Sequence, residues 1–315
     1  EHFDKHGCVL DEIAPMNRDP KVRWVEAAGC WVMALYLKEN DFTLLYSSDL
    51  LHWERGQTLT LPNTAECPDL FELFVDDDPA EAKWVFFASP ENYLVGHFDG
   101  RMFVPETELL RGPSQPQDGQ GKTFTSAAAY APQTFSGLPR GEEIQISWIP
   151  TVFPAMPFAS CMSLPWQLRL KREDGTLRLL AEPIAAVETL REASVDLRDE
   201  ALSQFRGEAL DLDATLHFEH PEGRVMLRLR GVPVLIQRGG RELVFPTGIY
   251  PLPYVGDTVP LRILADQGSV ELFCGSFHCA LNAPLDPAQC GLELLSTECA
   301  SVEGTLYRQR PIFTR

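Results

Sequence analysis

The chain has 315 residues, of which 44% are hydrophobic, and 27 basic against 45 acidic side chains give it a formal net charge of −18. This length and apolar content allow one large core or two ordinary ones. The negative charge repels phosphate backbones and anionic lipid, which argues against nucleic-acid partners and membrane-surface binding. No stretch approaches the ~20 uninterrupted apolar residues of a membrane-spanning helix. The negative charge is compatible with a neutral ligand such as a sugar. An equally good interpretation is that the acidic residues only aid solubility.

The first half of the sequence predicts short β-strands separated by turns. Strand-length runs of β-branched, aromatic and aliphatic residues occur at Trp31–Tyr36, Phe42–Tyr46, Lys83–Phe87, Tyr93–His97, Ile144–Trp148 and Gln167–Lys171. Turn-forming residues separate several of them, at 38–41, 76–79 and 99–100. No apolar period of 3.6 residues lasts beyond a couple of turns before residue 184, so we expect little helix.

A short helical pattern over Ile184–Arg191 leads into a second series of predicted strands. These show alternation or short apolar runs at Ala214–Phe218, Arg224–Arg230, Val234–Ile236, Leu243–Phe245, Leu261–Leu264, Ser269–Phe273 and Gly291–Leu295. Their near-regular spacing and polar outer face predict a sandwich of two sheets. The composition changes near residue 190. We therefore expect an all-β protein of two domains, residues 1–185 and residues 186–315, the second including a linker.

Eight cysteines are spread too widely for a small disulfide scaffold. The segment Cys274-Gly-Ser-Phe-His278-Cys279 superficially suggests a metal site, but no second cluster has matching spacing. Buried free thiols or one hairpin disulfide are the favoured interpretations.

Five segments in order along the chain resemble signatures of one enzyme family. They are Arg18-Asp-Pro-Lys-Val22, Thr64-Ala-Glu-Cys-Pro-Asp-Leu-Phe71, Tyr130-Ala-Pro-Gln-Thr-Phe135, Met162-Ser-Leu-Pro-Trp-Gln-Leu168 and Asp266-Gln-Gly-Ser-Val-Glu-Leu-Phe273. The family is glycoside hydrolase family 32, the invertases, levanases and inulinases that hydrolyse β-fructofuranosides. The resemblance implies a five-bladed β-propeller, here partial, followed by a C-terminal β-sandwich.

The same resemblance implies roles for individual residues. Glu66 is expected to be the general acid/base, and Asp19 the transition-state stabiliser that holds the fructosyl hydroxyls. Arg18, Cys67 and Tyr130 are expected to bind substrate, with Arg18 either orienting Asp19 or bonding the sugar directly. The reaction would be hydrolysis of sucrose, levan or inulin by retaining double displacement, with no metal and no organic cofactor.

The residue types fit this chemistry. Cleavage with retention needs two carboxyls ~5 Å apart, one protonated and one ionised. Weakly polar neighbours surround Glu66, and burial favours the protonated form of a carboxyl. An aspartate such as Asp19 can accept two charge-assisted hydrogen bonds from a furanose. The alternatives are a surface glutamate that begins a strand and an Asp-Pro turn.

Several positions depart from the family pattern. Trp166 and Gln167 stand where the family usually has Arg and Glu, and Ala128-Ala129 where related levanases have Asp-Phe. Aromatic residues such as Trp148 and Trp166 are either sugar-stacking surfaces or core.

The Asn-Asp-Pro-Asn-Gly segment that carries the family's nucleophile is not found in this sequence, and Met16-Asn17-Arg18-Asp19-Pro20 only echoes it. The resemblance therefore leads us to expect a chain that begins inside the catalytic domain. An incomplete propeller would require a homo-oligomer or a complementary N-terminal fragment. Two other functions stay open, a non-catalytic fructan-binding or regulatory protein and a fructosyltransferase.

Overall fold

The computed structural model describes residues 2, 4–5, 7–112, 129–153, 157–173, 175–246, 248–252, 256–275, 277–283 and 286–312. The chain divides into two compact units. The first contains the described residues up to Gly112 together with Ala131–Glu143, and the second contains Ala129, Tyr130 and the described residues from Ile144 onward. The domain boundary expected at residue 185 stays a prediction.

The first unit consists mostly of strands. Their bounds are β1 Arg18–Val25, β2 Cys30–Lys38, β3 Asp41–Ser47, β4 Glu54–Thr60, β5 Asp69–Val75, β6 Asp78–Ala88, β7 Asn92–Phe98, β8 Phe103–Pro105, β9 Leu110–Arg111 and β10 Tyr130–Thr134, with a 3-10 helix at Glu26–Ala28. Strands β1 to β4 form one sheet in sequence order, and β5 to β8 pair in sequence order in another. Such four-stranded meanders are the form of propeller blades.

Strand β2 is apolar on both faces because both faces are covered. Val32, Ala34 and Tyr36 join a core cluster with aromatic residues of β3, β6 and β8. There Phe42 meets the edge of Phe86 with ring centroids 5.6 Å apart. On the opposite face, Met33, Leu35 and Leu37 join Leu45 of β3 in a second cluster, which packs against residues that include Leu10, Ile13 and Trp53. A strand buried on both sides shows a continuous apolar run rather than alternation.

The second unit contains the remaining strands. Their bounds are β11 Glu143–Val152, whose first residue belongs to the first unit, β12 Ala159–Met162, β13 Trp166–Glu173, β14 Thr176–Pro183, β15 Arg191–Asp196, β16 Leu210–Phe218, β17 Arg224–Leu229, β18 Val232–Gln237, β19 Glu242–Phe245, β20 Gly248–Pro251, β21 Thr258–Ala265, β22 Ser269–Cys274, β23 Phe277–Asn282, β24 Leu292–Glu298 and β25 Ala300–Gln309. Short 3-10 helices lie at Ala185–Leu190, Glu200–Gln204 and Pro287–Gln289.

Two sheets of the second unit share one hydrophobic core. One sheet has the order β15-β25-β16-β21-β22-β23 and the other the order β20-β19-β18-β17-β24. Leu212 and Ile263 from the first sheet and Val225 and Ile236 from the second are fully buried in the same cluster. Two antiparallel sheets that face each other over such a core are a β-sandwich. The predicted sandwich is therefore confirmed.

The fold class predicted from the sequence is confirmed, because the chain is mostly strand with a partial five-bladed propeller followed by a sandwich. The helical pattern over Ile184–Arg191 is a single 3-10 helix, Ala185–Leu190. All eight cysteines are free thiols, so the hairpin disulfide is wrong. In the described part of the chain, no helix has the length and apolar character to cross a membrane.

Trp166 is fully buried in the second unit, where it bonds a buried carboxyl of the sandwich. Its Nε1 donates to Oε2 of Glu271 at 2.6 Å, and the backbone N–H of Leu164 donates to Oε1 at 2.7 Å. Glu271 is only 1% exposed, and the His278 ring lies 5.0 Å from that of Trp166. In this structure Trp166 is therefore core, not a sugar-stacking surface.

Burial raises the pKa of Glu271 to about 8, with the nearby charge of Asp266 adding and the two hydrogen bonds opposing. The folded state therefore keeps a proton that the unfolded chain releases near pH 4.5, so stability is lost as pH rises from about 4.5 to 8. Burial lowers the pKa of His278 to about 4, which costs stability as pH falls from 6.5. The two effects oppose each other below pH 6.5, so the loss due to Glu271 is clearest between pH 6.5 and 8.

We expect Glu271→Gln to be less stable than the parent near pH 6.5, because its amide NH2 must face one of the two N–H donors, and to lose the decline at higher pH. The parent should lose about 2 kcal/mol between pH 6.5 and 8, since each pH unit between the two pKa values is worth about 1.4 kcal/mol. Urea unfolding between pH 5 and 8.5 measures it. Glu293→Gln is the control, because Glu293 is an exposed glutamate of the same sandwich, paired with Arg228. If the free energy of unfolding of Glu271→Gln falls in parallel with that of the parent between pH 6.5 and 8, Glu271 is not the cause of the decline.

Candidate functional site

Two segments that are far apart in sequence meet in the first unit through Arg18 and Glu66. The Nη2 and Nε atoms of Arg18 donate to Oε1 of Glu66 at 2.6 and 3.1 Å. Asp19 lies beside them, since its Oδ2 is 3.9 Å from the same Nε and accepts the backbone N–H of Cys67 at 3.1 Å. The structure thus brings four of the five predicted site residues together.

Asp19 owes its position to an interruption of strand β1. The pairing of β1 with β2 shifts register between Arg18 and Lys21, so Asp19 and Pro20 stand outside the regular ladder. Asp19 has φ 59°, the left-handed region that non-glycine residues seldom adopt. A β-bulge of this kind re-aims a side chain locally. Here it turns the Asp19 carboxylate to the Cys67 amide.

Glu66 lies in a loop that precedes β5 and is also strained. Glu66 and Cys67 have successive positive φ values of 62° and 47°. The loop is tied to the turn after β6 at two points, since Ala65 N donates to Ser89 O at 3.0 Å and Ser89 N donates to Glu66 O at 3.2 Å. Asn92 Nδ2 adds a 2.7 Å bond to Thr64 Oγ1. Strained residues persist only where surrounding contacts hold them, and they cluster at functional sites.

The local charges stabilise this arrangement. Hydrogen bonding to Glu66 raises the pKa of the Arg18 guanidinium, against the effect of burial. The same guanidinium stacks over the Tyr36 ring at 4.5 Å from its centroid, a favourable cation–π geometry. Burial raises the pKa of the Cys67 thiol to about 11, and the charges of Asp19 and Glu66 add to this effect. The thiol therefore stays neutral and is not a nucleophile.

The site is accessible to a ligand and offers both acceptors and donors. The side chains of Arg18, Asp19 and Glu66 are 34%, 33% and 31% exposed. Among the described residues no hydrogen bond reaches Oδ1 of Asp19, which leaves this oxygen able to accept a ligand hydroxyl. Two carboxyls that approach one guanidinium can bind hydroxyls and exchange a proton with a bound substrate.

Other predicted positions lie elsewhere or stay open. Tyr130 begins β10, is half-buried and belongs to the second unit, so its role near the carboxyls stays a prediction. Ala128 lies outside the described residues, and the backbone of Ala129 donates to Ala280 O at 3.0 Å. Trp148 is 38% exposed. Within the described ranges, no group of three or more His, Cys, Asp and Glu residues could hold a metal ion.

Sequence reasoning missed Tyr36 and a group of buried charges that includes Lys21, Arg23 and Asp69. A signal for the charges was present. Lys21 and Arg23 stand two residues apart in β1, and residues two apart on a strand share one face. Asp69 stands three residues after Glu66. Nothing local indicated that the Tyr36 ring lies under Arg18.

Comparison with known families agrees with this geometry. The model of the glycosyl hydrolases family 32 N-terminal domain matches residues 2–183. That is more than half of the chain, and the chain belongs to glycosyl hydrolase family 32.

Levanase of Bacillus subtilis (strain 168) is 29% identical over 312 residues, an alignment that covers 81% of this chain and 44% of that protein. The extracellular exo-inulinase of Aspergillus niger (strain ATCC MYA-4892 / CBS 513.88 / FGSC A1513) is 26% identical over 86% of this chain and 60% of its own length. The chain thus spans about half the length of these relatives.

Solved structures share the fold. The exo-inulinase of Aspergillus awamori superposes with a TM-score of 0.77 at 19% identity, over 93% of this chain and 67% of that one. This likeness supports the propeller-and-sandwich architecture.

Proposed function

We propose that this chain is part of a retaining glycosidase that hydrolyses β-D-fructofuranosidic bonds in sucrose, levan or inulin. The observation that carries the proposal is the convergence of Asp19 and Glu66 on Arg18, although the segments are 48 residues apart. Membership of family 32 supports it, and so do relatives named as a levanase and an exo-inulinase. These names are those of fructan hydrolases, which gives no support to a regulatory protein or a fructosyltransferase.

In this proposal Glu66 protonates the leaving-group oxygen and then, as a base, activates the water that releases fructose. Asp19 uses Oδ1 to hold a furanose hydroxyl while the Cys67 amide fixes Oδ2. An aspartate supplied by an Asn-Asp-Pro-Asn-Gly segment would form the fructosyl intermediate. Because Arg18 donates two hydrogen bonds to Glu66, we assign Arg18 the role of orienting Glu66. Direct substrate contacts from Arg18, Cys67 and Tyr130 remain part of the proposal.

The test is fructose release by the chain paired with a family 32 N-terminal segment that bears the missing motif, here termed the complemented protein. We expect the complemented protein to release fructose from sucrose, levan or inulin, and the 315-residue chain alone to release none. Sugar binding without release by a folded complemented protein would favour the binding-protein function instead. Longer fructosyl products in place of free fructose would favour a transferase.

We also propose that the chain associates with a second copy or with a complementary N-terminal fragment. Large hydrophobic side chains stay exposed in the first unit, among them Val9, Met16, Trp24 and Leu51, and such side chains are typical of interfaces where they form a contiguous patch. Sedimentation velocity should show a concentration-dependent dimer, or a larger species once the fragment is added. A monomer at all concentrations that ignores the fragment would contradict this.

A further inference from the structure

Next to the carboxyl pair, the first unit buries four charges that the proposed chemistry does not use. We call these residues the charge quartet. Their side-chain exposures are 10% for Lys21, 20% for Arg23, 0% for Asp69 and 6% for Glu143. Two positive and two negative groups leave the quartet electrically balanced. Balance matters because an unpaired buried charge is strongly unfavourable.

Asp69 is the centre of the quartet. Its Oδ2 accepts the backbone N–H and the hydroxyl of Thr134 at 3.0 and 2.8 Å, and its Oδ1 accepts its neighbour's N–H, that of Leu70, at 2.9 Å. Lys21 Nζ lies 3.5 Å from Oδ2, and Arg23 Nη2 lies 3.7 Å from Oδ1. Both carboxylate oxygens are thus held from two directions, which fixes the orientation of the group.

Arg23 extends these contacts to a further segment. Its Nη1 and Nη2 donate to the two carboxylate oxygens of Glu143 at 2.5 and 3.1 Å, and Nη2 also donates to Thr134 Oγ1 at 3.0 Å. The Lys21 ammonium donates to the Thr134 carbonyl. Strand β1 is therefore bonded through side chains to β5, to β10 and to the start of β11.

Three members of the quartet lie close in sequence to the residues of the site. Lys21 and Arg23 follow Asp19 by two and four residues, and Asp69 follows Glu66 by three. Strands β1 and β5 belong to different sheets, so no backbone ladder sets the spacing between them. Side-chain contacts must set it.

We propose that Asp69 is a positioning residue, which holds β1 and the loop before β5 at the spacing that lets Asp19 and Glu66 contact one furanose ring. This inference rests on the proposed function for its kinetic consequence. Asp69 itself is fully buried and does not touch the substrate. A buried charged network suits this role because its bonds are directional, whereas an apolar contact tolerates sliding.

The test is Asp69→Asn in the complemented protein, with Glu72→Gln as the matched control. Glu72 lies on the same strand and pairs with Arg140, whose side chain is 65% exposed, and the loss of this pair should change kcat by less than about two-fold. Asp69→Asn should lower kcat by about 10–100-fold with KM changed less than about three-fold, because a misplacement near 1 Å costs about that much. A folded Asp69→Asn protein with control-like kcat would overturn the inference.

A second variant tests the inference if Asp69→Asn fails to fold, and a second measurement tests it if the complemented protein is inactive. Thr134→Val keeps all four charges and removes the hydroxyl bonds to Asp69 and Arg23, so kcat should fall about 3–10-fold, an intermediate loss. In the 315-residue chain alone, amide exchange at Cys67 reports its bond to Asp19 without any substrate. The exchange rate of the Cys67 amide should rise about ten-fold or more in Asp69→Asn, because the hydrogen bond to Asp19 would open more readily. Unchanged exchange would overturn the positioning role even if the parent hydrolyses no fructoside, so the two proposals fail separately.

Discussion

Replacing Glu66 by Gln should lower kcat of the complemented protein on sucrose or levan by about 10²–10⁴-fold, the range for removing general acid catalysis. The amide keeps the size of the side chain and an oxygen for the bond from Arg18, which lies at 2.6 Å in the parent. What is lost is the proton that the leaving oxygen must receive. Initial rates with both substrates measure the effect.

A fructoside with a good leaving group provides the control for Glu66→Gln. Departure of a weakly basic leaving group needs little proton donation, so the loss on that substrate should be much smaller. An equal loss on both substrates would assign Glu66 a role other than general acid. A change confined to KM would assign it to binding alone.

Asp19→Asn should reduce kcat/KM of the complemented protein by about 10²–10³-fold, the size found for removing one preorganised electrostatic contact to a transition state. The asparagine oxygen can still accept the Cys67 amide, which Asp19 Oδ2 accepts at 3.1 Å, so the loop geometry should survive. The charge that strengthens the bond to a sugar hydroxyl is lost, and this bond is tightest in the transition state.

Asp41→Asn is the matched control for Asp19→Asn. Asp41 also lies in the first unit and accepts one hydroxyl bond, from Thr60 at 2.6 Å, but it has no part in the proposed site. Its replacement should leave kcat/KM within about two-fold, as expected for a surface substitution. Equal losses in the two variants would mean that charge or stability, rather than the site, explains the effect of Asp19.

Strands with a strong local pattern could be predicted from the sequence. The runs Trp31–Tyr36 and Phe42–Tyr46 lie inside β2 and β3, because apolar residues buried on both faces leave a continuous signal. Strand β25, Ala300–Gln309, was not predicted since few of its residues are apolar. It is held by ladders to β15 and β16 on either side, and such tertiary pairing overrides weak propensity.

The candidate site was partly predictable for a different reason. Motif resemblance located Asp19 and Glu66, but the bonds that join them through Arg18 link residues 48 positions apart, which no local pattern encodes. The positive φ values of Asp19, Glu66 and Cys67 likewise depend on the contacts that hold the loops. The series of predicted strands that includes Ser269–Phe273 was expected to have a polar outer face, yet all of β22 is buried, because both faces of that strand are covered.

The central claim is that Arg18, Asp19, Glu66 and Cys67 form a fructosyl-binding site, and titration of the isotopically labelled 315-residue chain with fructose tests it most directly. The resonances to follow are the Cys67 amide, bonded to Asp19, and the Arg18 Nε–H, bonded to Glu66. We predict weak, saturable shifts at both groups in the parent and in Asp41→Asn, and none in Asp19→Asn. Absence of any saturable shift at these two groups, or shifts that persist in Asp19→Asn, would contradict the account.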